Sequence, residues 1–367
     1  MISNRVKIQL SHNFENINSI ENLLSAWREF ILGKKKRRDA QEFSLNLMDN
    51  IFSLHSDLIN HTYNHGGYQA FKINDPKPRD IHKASVRDRL LHHAIYRILY
   101  PFFDKIFIAD SYSCRVSKGT HKAVNKFREF ARKASKNNTR TCWALKCDIR
   151  KFFANIDHSI LLNLLKEYIP DENIILLLKN VIGSFSPEKE RAVGLPLGNL
   201  TSQLFVNIYM NKFDQFIKHK LKAKYYIRYA DDFIIFSENK KWLKEQVLLI
   251  KEFLRRELKL ELHPNKIFIK TVASGIDFLG MVNFSDYRVL RTKIKRRMLK
   301  KINGRYDELQ NKTISAESFK QSLQSYLGML KHCHGHKIER RMYDTLLDSG
   351  SWPGMIGFKA VAKTILT

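Results

Sequence analysis

Acidic residues are scarce in this 367-residue chain: 36 Asp and Glu stand against 64 Lys and Arg, a formal net charge of +28. The excess is spread from GKKKRR (Gly33 to Arg38) to RTKIKRRMLKK (Arg291 to Lys301). Such a chain repels itself unless a polyanion neutralises it, and nucleic acid is the commonest polyanion. Cysteine is scarce too. The four present (Cys114, Cys142, Cys147 and Cys333) are too scattered for a disulfide framework, so a reducing compartment is expected. No apolar run approaches the ~20 residues that span a bilayer. The opening MISNRVKIQLSHNF has no apolar signal core, so a cytoplasmic setting and no membrane partner are expected. HCHGH, His332 to His336, lacks a second Cys/His pair at finger spacing, which favours a polar helix end over zinc. There is no internal repeat and no low-complexity linker.

What is present is a mixed globular pattern. Residues 14–60 carry helical periodicity, and NHGGYQAFKINDPKPRDIHKA then reads as loop and short strands. RDRLLHHAIYRILYPFFDKIF is helical again. TCWALKCDIRKFFANIDH (Thr141 to His158) begins as a buried strand and leads into a capped helix. GLPLGNLTSQ opens a long helix, YYIRYADDFIIFSE (Tyr225 to Glu238) reads as a hairpin, and KWLKEQVLLIKEFLRRELKLEL as an amphipathic helix. GIDFLGMVNF gives short strands, and the last eighty or so residues are mostly basic helix. The class is α+β, with a few antiparallel strands covered by helices.

Two adjacent carboxylates, Asp231 and Asp232, interrupt that hairpin between core-like strands, and Asp148 ends the apolar strand WALKCDI in the same manner. Paired aspartates in a turn are commonly just a solvated hairpin tip. Brought together, however, Asp148 and Asp231 form a dense negative site that a divalent metal stabilises. Carboxylate oxygens suit Mg²⁺, which keeps waters and shares phosphate oxygens. Two such ions about 4 Å apart serve in-line phosphoryl displacement.

The motifs around these carboxylates resemble those of reverse transcriptases, in the family's order. KPRDI, SVRDRLLHHAIYRIL and SYSCRVSKGTHKAV resemble the fingers segments, and CDIRKFFANIDH the strand with the first catalytic aspartate. GLPLGNLTSQ resembles the nucleotide-pocket loop, YADD the catalytic hairpin, LHPNKIFI the lysine segment and GIDFLG the primer grip. The likeness covers roughly residues 66 to 330. It implies a right-hand polymerase: an N-terminal helical extension at 1–65, fingers and palm at 66–285, and a basic helical thumb at 286–367. It further implies an RNA-directed DNA polymerase with two Mg²⁺ ions on Asp148, Asp231 and Asp232. Phe153 matches the steric gate that excludes a 2′-hydroxyl. Lys266 matches the lysine that donates a proton to, or holds the charge of, departing pyrophosphate. Lys72 and Arg79 are the expected triphosphate ligands, with Arg115 a third basic candidate that serves equally well as structure. Lys295, Arg296 and Arg297 are expected to track the template–primer backbone or to form a solvated face.

The pocket motif departs from the usual pattern. It runs Leu197-Gly198-Asn199-Leu200-Thr201-Ser202-Gln203, where the family commonly has Gln first and Ser-Pro last. Leu197, Gly198, Ser202 and Gln203 are thus the expected pocket residues, and the apolar first position removes a polar contact to the incoming dNTP. This form resembles the reverse transcriptases of diversity-generating retroelements, where Ile is usual in that place. The resemblance implies cDNA synthesis with errors at template adenines, and a small basic accessory protein acting in trans. A retron-like or phage-defence enzyme is the alternative, although the retron Asn-Ala-x-x-His and Val-Thr-Gly stretches are missing. A non-catalytic RNA-binding protein would have lost a metal carboxylate, and all three are present. Template RNA and primer–cDNA duplex would account for the charge, with binding that weakens by a log–log slope of about −0.9 per phosphate contact.

Overall fold

The computed structural model describes residues 8–74, 78–187 and 191–348, the side chains of 344–348 excepted. In chain order, α1 (Phe14–Asn18), α2 (Ile20–Ile31), α3 (Arg38–Leu45) and α4 (Leu47–Ile59) come first. The hairpin β1 (Tyr68–Ile73) and β2 (Arg79–Ala84) follows, then α5 (Val86–Ile106), α6 (Thr120–Ala134) and β3 (Trp143–Asp148). Next are α7 (His158–Lys166), α8 (Glu172–Gly183), α9 (Leu200–Gln215), β4 (Tyr225–Tyr229), β5 (Asp232–Ser237) and α10 (Lys240–Leu258). The chain continues with β6 (Phe268–Thr271), β7 (Ile276–Phe278), β8 (Met281–Asn283), β9 (Arg288–Leu290), α11 (Thr292–Gln310), α12 (Ala316–Leu330) and α13 (His336–Asp348). The α+β class stands: helices dominate, with small sheets set among them.

Two compact units form. The first comprises the described residues up to Gly119, with Leu145–Ile235 and Lys240–Ile269. Its sheet has the strand order β4-β5-β3-β6. Phe233, Ile234 and Ile235 of β5 are all fully buried, as are Tyr226 and Ile227 of β4. Burial on both faces explains why these strands read as continuous apolar runs instead of alternating. Each such side chain contributes on the order of 1.5–3 kcal/mol. Helix α9 is buried nearly all round, from Thr201 and Ser202 to Phe213 and Asp214. A helix with that pattern belongs to an interior. Polar side chains start the neighbouring helices: Ser85, Asp157 and Asp171 accept from backbone N–H groups at the beginnings of α5, α7 and α8.

The second unit comprises Thr120–Ala144, Phe236–Asn239 and the described residues from Lys270 onward. Here α6 carries Phe127, whose ring meets Phe236 edge-on at 4.8 Å and lies 6.0 Å from Phe278. The antiparallel sheet β7-β8-β9 and the helices α11–α13 complete it. Met298, Ile302 and Phe319 are core, whereas Lys295 and Arg297 are half-buried and Arg296 is exposed. Among the described residues, no helix is long and apolar enough to cross a membrane.

Candidate active site

The hairpin turn between β4 and β5 is two residues, Ala230 and Asp231. Ala230 sits in the left-handed region at φ 55°, a conformation that costs a residue with a Cβ on the order of 1 kcal/mol or more. Its carbonyl accepts from Arg228 Nη1 at 3.1 Å. Arg228 is itself 1% exposed and clasps Asp214 of α9 through Nε–Oδ1 at 2.7 Å and Nη2–Oδ2 at 2.6 Å. Tyr226 donates to the same Asp214 Oδ1 at 2.6 Å. A fully buried pair of this kind fixes where the turn lies.

Asp148 reaches the turn from β3. Ile149 N donates to Asp231 O at 3.2 Å, and His263 N donates to Asp148 O at 2.7 Å. The backbone at Asp148 is thereby held between the hairpin and the segment carrying Lys266. Lys266 Nζ lies 2.8 Å from Asp148 Oδ1, and Lys146 Nζ lies 3.0 Å from Asp232 Oδ2. Three carboxylates face two ammonium groups, a net negative site within a strongly basic chain.

The charges strain one another. Burial, reinforced by the charge of Asp148, raises the Asp231 carboxyl above its ordinary range, and Lys266 and Arg79 oppose the rise. Asp232 is pushed up to about 7, chiefly by burial; Lys146 works against this, while Asp148 and Asp231 add to it. Its Oδ1 is buried without a hydrogen-bond partner. An orphaned carboxylate oxygen, beside carboxylates that repel, fits a divalent cation better than it fits a structural ion pair. Among the described residues, no three His, Cys, Asp or Glu side chains are already drawn into a metal cage. Mg²⁺ needs none, since one or two carboxylates with substrate phosphates and waters suffice.

The pocket loop is tied to this centre by backbone bonds. After Asp148 the chain turns through Lys151 at φ 44° into a 3₁₀ turn over Phe152–Asn155. Phe153 is half-buried there, its ring 5.6 Å from that of Phe152. Leu195 N donates to Phe153 O at 2.8 Å, and His82 N of β2 donates to Leu197 O at 3.1 Å. Gly198 follows at φ 107°, and a Cβ there would sit 2.9 Å from Ile81 Cγ2. Only glycine lets the loop lie this close to β2. Leu197 and Gln203 are half-buried, and Ser202 is buried in the first turn of α9.

Arg79 and Lys72 share the β1–β2 hairpin but lie on opposite faces. The register sets Lys72 against Asp80 and Ile73 against Arg79, and adjacent positions of a strand point in opposite directions. Arg79 is the one whose charge reaches Asp231. Arg115 is a structural pin: its guanidinium holds the Asp104 carboxylate at 2.7 Å and the carbonyls of Asp104, Ile108 and Ser111. In the second unit, His332 to His336 lie around the α12–α13 turn, where His334 N donates to Arg288 O. Sequence reasoning missed Lys146 and the Arg228–Asp214 clasp. Lys146 had a readable signal, since it lies two residues before Asp148 on one strand and so shares its face.

Residues 72–283 match the family described as reverse transcriptase (RNA-dependent DNA polymerase). Curated relatives include Protein YkfC of Escherichia coli (strain K12), 26% identical over 246 residues that cover 56% of this chain and 62% of that one. The group II intron-encoded protein LtrA of Lactococcus lactis subsp. cremoris is 26% identical over 305 residues, 62% of this chain and 48% of its own. The putative COX1/OXI3 intron 2 protein of Saccharomyces cerevisiae is 21% identical over 280 residues, 59% of this chain and 30% of its own. This chain therefore spans less than two thirds of the length of these relatives. A match over more than half of the chain, centred on the strands and loop that hold these carboxylates, assigns it: the chain belongs to the reverse transcriptase family.

Proposed function

We propose that this chain is an RNA-directed DNA polymerase that copies a template RNA into cDNA from dNTPs, serving a diversity-generating retroelement with errors concentrated at template adenines. The observation that carries the polymerase reading is the convergence of Asp148 with the Asp231–Asp232 turn, including the unpartnered Asp232 Oδ1. Asp148, Asp231 and Asp232 are the ligands for two Mg²⁺ ions, with Asp148 and Asp231 the principal ones. When bound, such ions supply Lewis-acid stabilisation of the phosphoryl oxygens and of the attacking 3′-hydroxyl.

The chain's own side chains do the rest. Lys266, now held by Asp148, is near enough to offer a proton or a positive charge to the departing pyrophosphate. Arg79 binds the triphosphate, with Lys72 a weaker contributor from the other face of the hairpin. Phe153 blocks a 2′-hydroxyl. Leu197, Gly198, Ser202 and Gln203 shape the pocket for the incoming base. In this reading β1–β2 belongs to the fingers and the carboxylate sheet to the palm. Helices α11–α13, with Lys295, Arg296 and Arg297, are the thumb on the template–primer duplex. Of the N-terminal helical extension placed at 1–65 and the thumb placed at 286–367, residues 1–7 and 349–367 lie outside the described residues; the boundaries near 66 and 286 follow from the same motifs.

The retroelement reading rests on the pocket loop alone: Leu197 where a polar residue is common, and Ser202-Gln203 at its end. With no polar group at Leu197, selection of the incoming base depends on shape. A small basic accessory protein in trans is the expected partner.

Primer extension on an RNA template with Mg²⁺ and dNTPs, followed by product sequencing, tests both levels. Synthesis lost on Asp231→Ala/Asp232→Ala, with errors opposite adenine, supports the whole reading. Accurate cDNA keeps the polymerase and moves the biological role toward a retron-like or defence enzyme. No synthesis, with the native RNA and any accessory protein supplied, defeats it.

A further inference from the structure

Asparagine is among the best N-caps, and Asn199 stands at the N-cap of α9, yet its side chain makes no capping bond there. By contrast, Ser19, Ser85, Asp157, Asp171 and Ser315 each accept from a backbone N–H at the start of their own helix. Asn199 turns instead to β2, where its Nδ2 donates to His82 O at 3.0 Å. A carbonyl only accepts, so the atom facing it is the amide nitrogen. The other half of the amide, Oδ1, is buried without a hydrogen-bond partner. A bare buried acceptor costs stability, and so does a cap forgone. Local rules broken in this way mark a geometry that the site needs.

What the bond does follows from its place. In an antiparallel hairpin the N–H and C=O of one residue point to the same side. His82, opposite Ala70 of β1, donates its N–H to Leu197 O at 3.1 Å and receives Asn199 on its own carbonyl. Both backbone groups of His82 thus serve the pocket loop. The loop lies along β2 as a third strand would, with the Asn199 amide in the place of a ladder N–H. Gly198, between the two anchored residues, packs against Ile81. Arg79, whose charge reaches Asp231, opens the same strand. The apolar Leu197 and the Arg79 guanidinium are therefore carried by one hydrogen-bonded body.

We propose that Asn199 is a positioning residue that determines specificity: by bonding β2 it fixes Leu197 relative to Arg79, and so sets how strictly the incoming base is selected by shape. The proposal rests on the polymerase reading. It places part of the discrimination in a side chain only 2% exposed, which acts through the loop and not on the nucleotide itself.

Asn199→Ser tests it, because serine still caps a helix but is too short to reach His82 O. Asn199→Asp, equal in shape and lacking the donor, is the second variant. Single-nucleotide incorporation on an RNA template is measured with right and wrong dNTPs opposite each template base. Both variants should raise KM for the right dNTP by about tenfold, with kcat changed less. The ratio of right to wrong kcat/KM should fall by about tenfold. In metal-free protein without substrate, the His82 amide should exchange about tenfold faster or more, with circular dichroism unchanged. The proposal is overturned if discrimination is unchanged in both variants, if kcat falls with KM unmoved, or if the His82 amide exchanges as in the parent. Loss of circular dichroism in both variants would make the bond a matter of folding alone and overturns it too. Absence of synthesis by the parent defeats the polymerase reading and this proposal with it. Synthesis by the parent, with variants that behave identically, defeats this proposal alone.

Discussion

Arg228 and Asp214 make a two-pronged ion pair, at 2.7 and 2.6 Å, with both side chains at most 1% exposed, and the same guanidinium holds the carbonyl of Ala230. The pair joins the carboxylate-bearing turn to α9. Breaking it leaves an uncompensated buried charge, which costs about 3–5 kcal/mol. Asp214→Asn or Arg228→Met should therefore lower the denaturation midpoint sharply, while Arg228→Met/Asp214→Leu should recover part of the loss. Denaturant titration of the three variants measures this. A double variant as unstable as the sum of the singles would show that the pair is not the coupled unit described.

The carboxylate centre should trade stability for function. Asp231 is buried beside Asp148, which favours its neutral form. Asp231→Asn should raise the melting temperature in EDTA, because a repelling buried charge is removed. The same change should reduce primer extension by roughly a thousandfold or more, the several kcal/mol that metal-centred stabilisation supplies. Scanning calorimetry beside the extension assay reads both. A fall in melting temperature would contradict the strain described here.

Phe153 stands in a short 3₁₀ turn whose carbonyl is held by Leu195 N. Truncating the ring leaves that backbone bond intact. Phe153→Ala should therefore admit ribonucleotides with little loss of dNTP incorporation, the discrimination falling by about ten- to a hundredfold. Competitive single-nucleotide incorporation measures it. Unchanged discrimination would return the ring to the role of ordinary packing.

Acid should destabilise the fold through two histidines. Burial lowers His92 to about 3; burial and the nearby cations Lys34, Arg89 and Arg97 lower His93 to about 4. The ordinary value is 6.5. A base depressed in the folded state is protonated first when unfolded, so its stabilising effect is complete above about pH 6.5 and lost as the pH falls. Each contributes a slope of up to about 1.4 kcal/mol per pH unit between those limits. Unfolding free energies at pH 7.5, 6 and 5 should fall in that order, and His92→Gln should flatten the dependence. An identical slope in the variant would remove His92 from the account.

Much of this arrangement was legible in the chain. The three aspartates stand at the ends of apolar strands, and Gly198 marks a place where only a residue without Cβ fits. What stayed hidden depends on distant partners. Nothing local to Asp214 tells that Arg228 will meet it, and β6 is too short and too weakly patterned to announce its place beside β3. The run ENIILLLKNVIG of α8 received no assignment, although Asp171 just before it is a readable N-cap. Asn199 looks like a helix cap until the fold turns its side chain to His82.

The order β4-β5-β3-β6 sets the two carboxylate-bearing strands, β5 and β3, side by side in the interior of the sheet, with a strand flanking each. Local fraying begins at edges and exposed helices, whereas paired central strands open only with the whole unit. The carboxylates therefore sit in the part of the molecule that lets go last. Their amide protons should be among the slowest to exchange, and the chemistry should persist while the peripheral helices breathe.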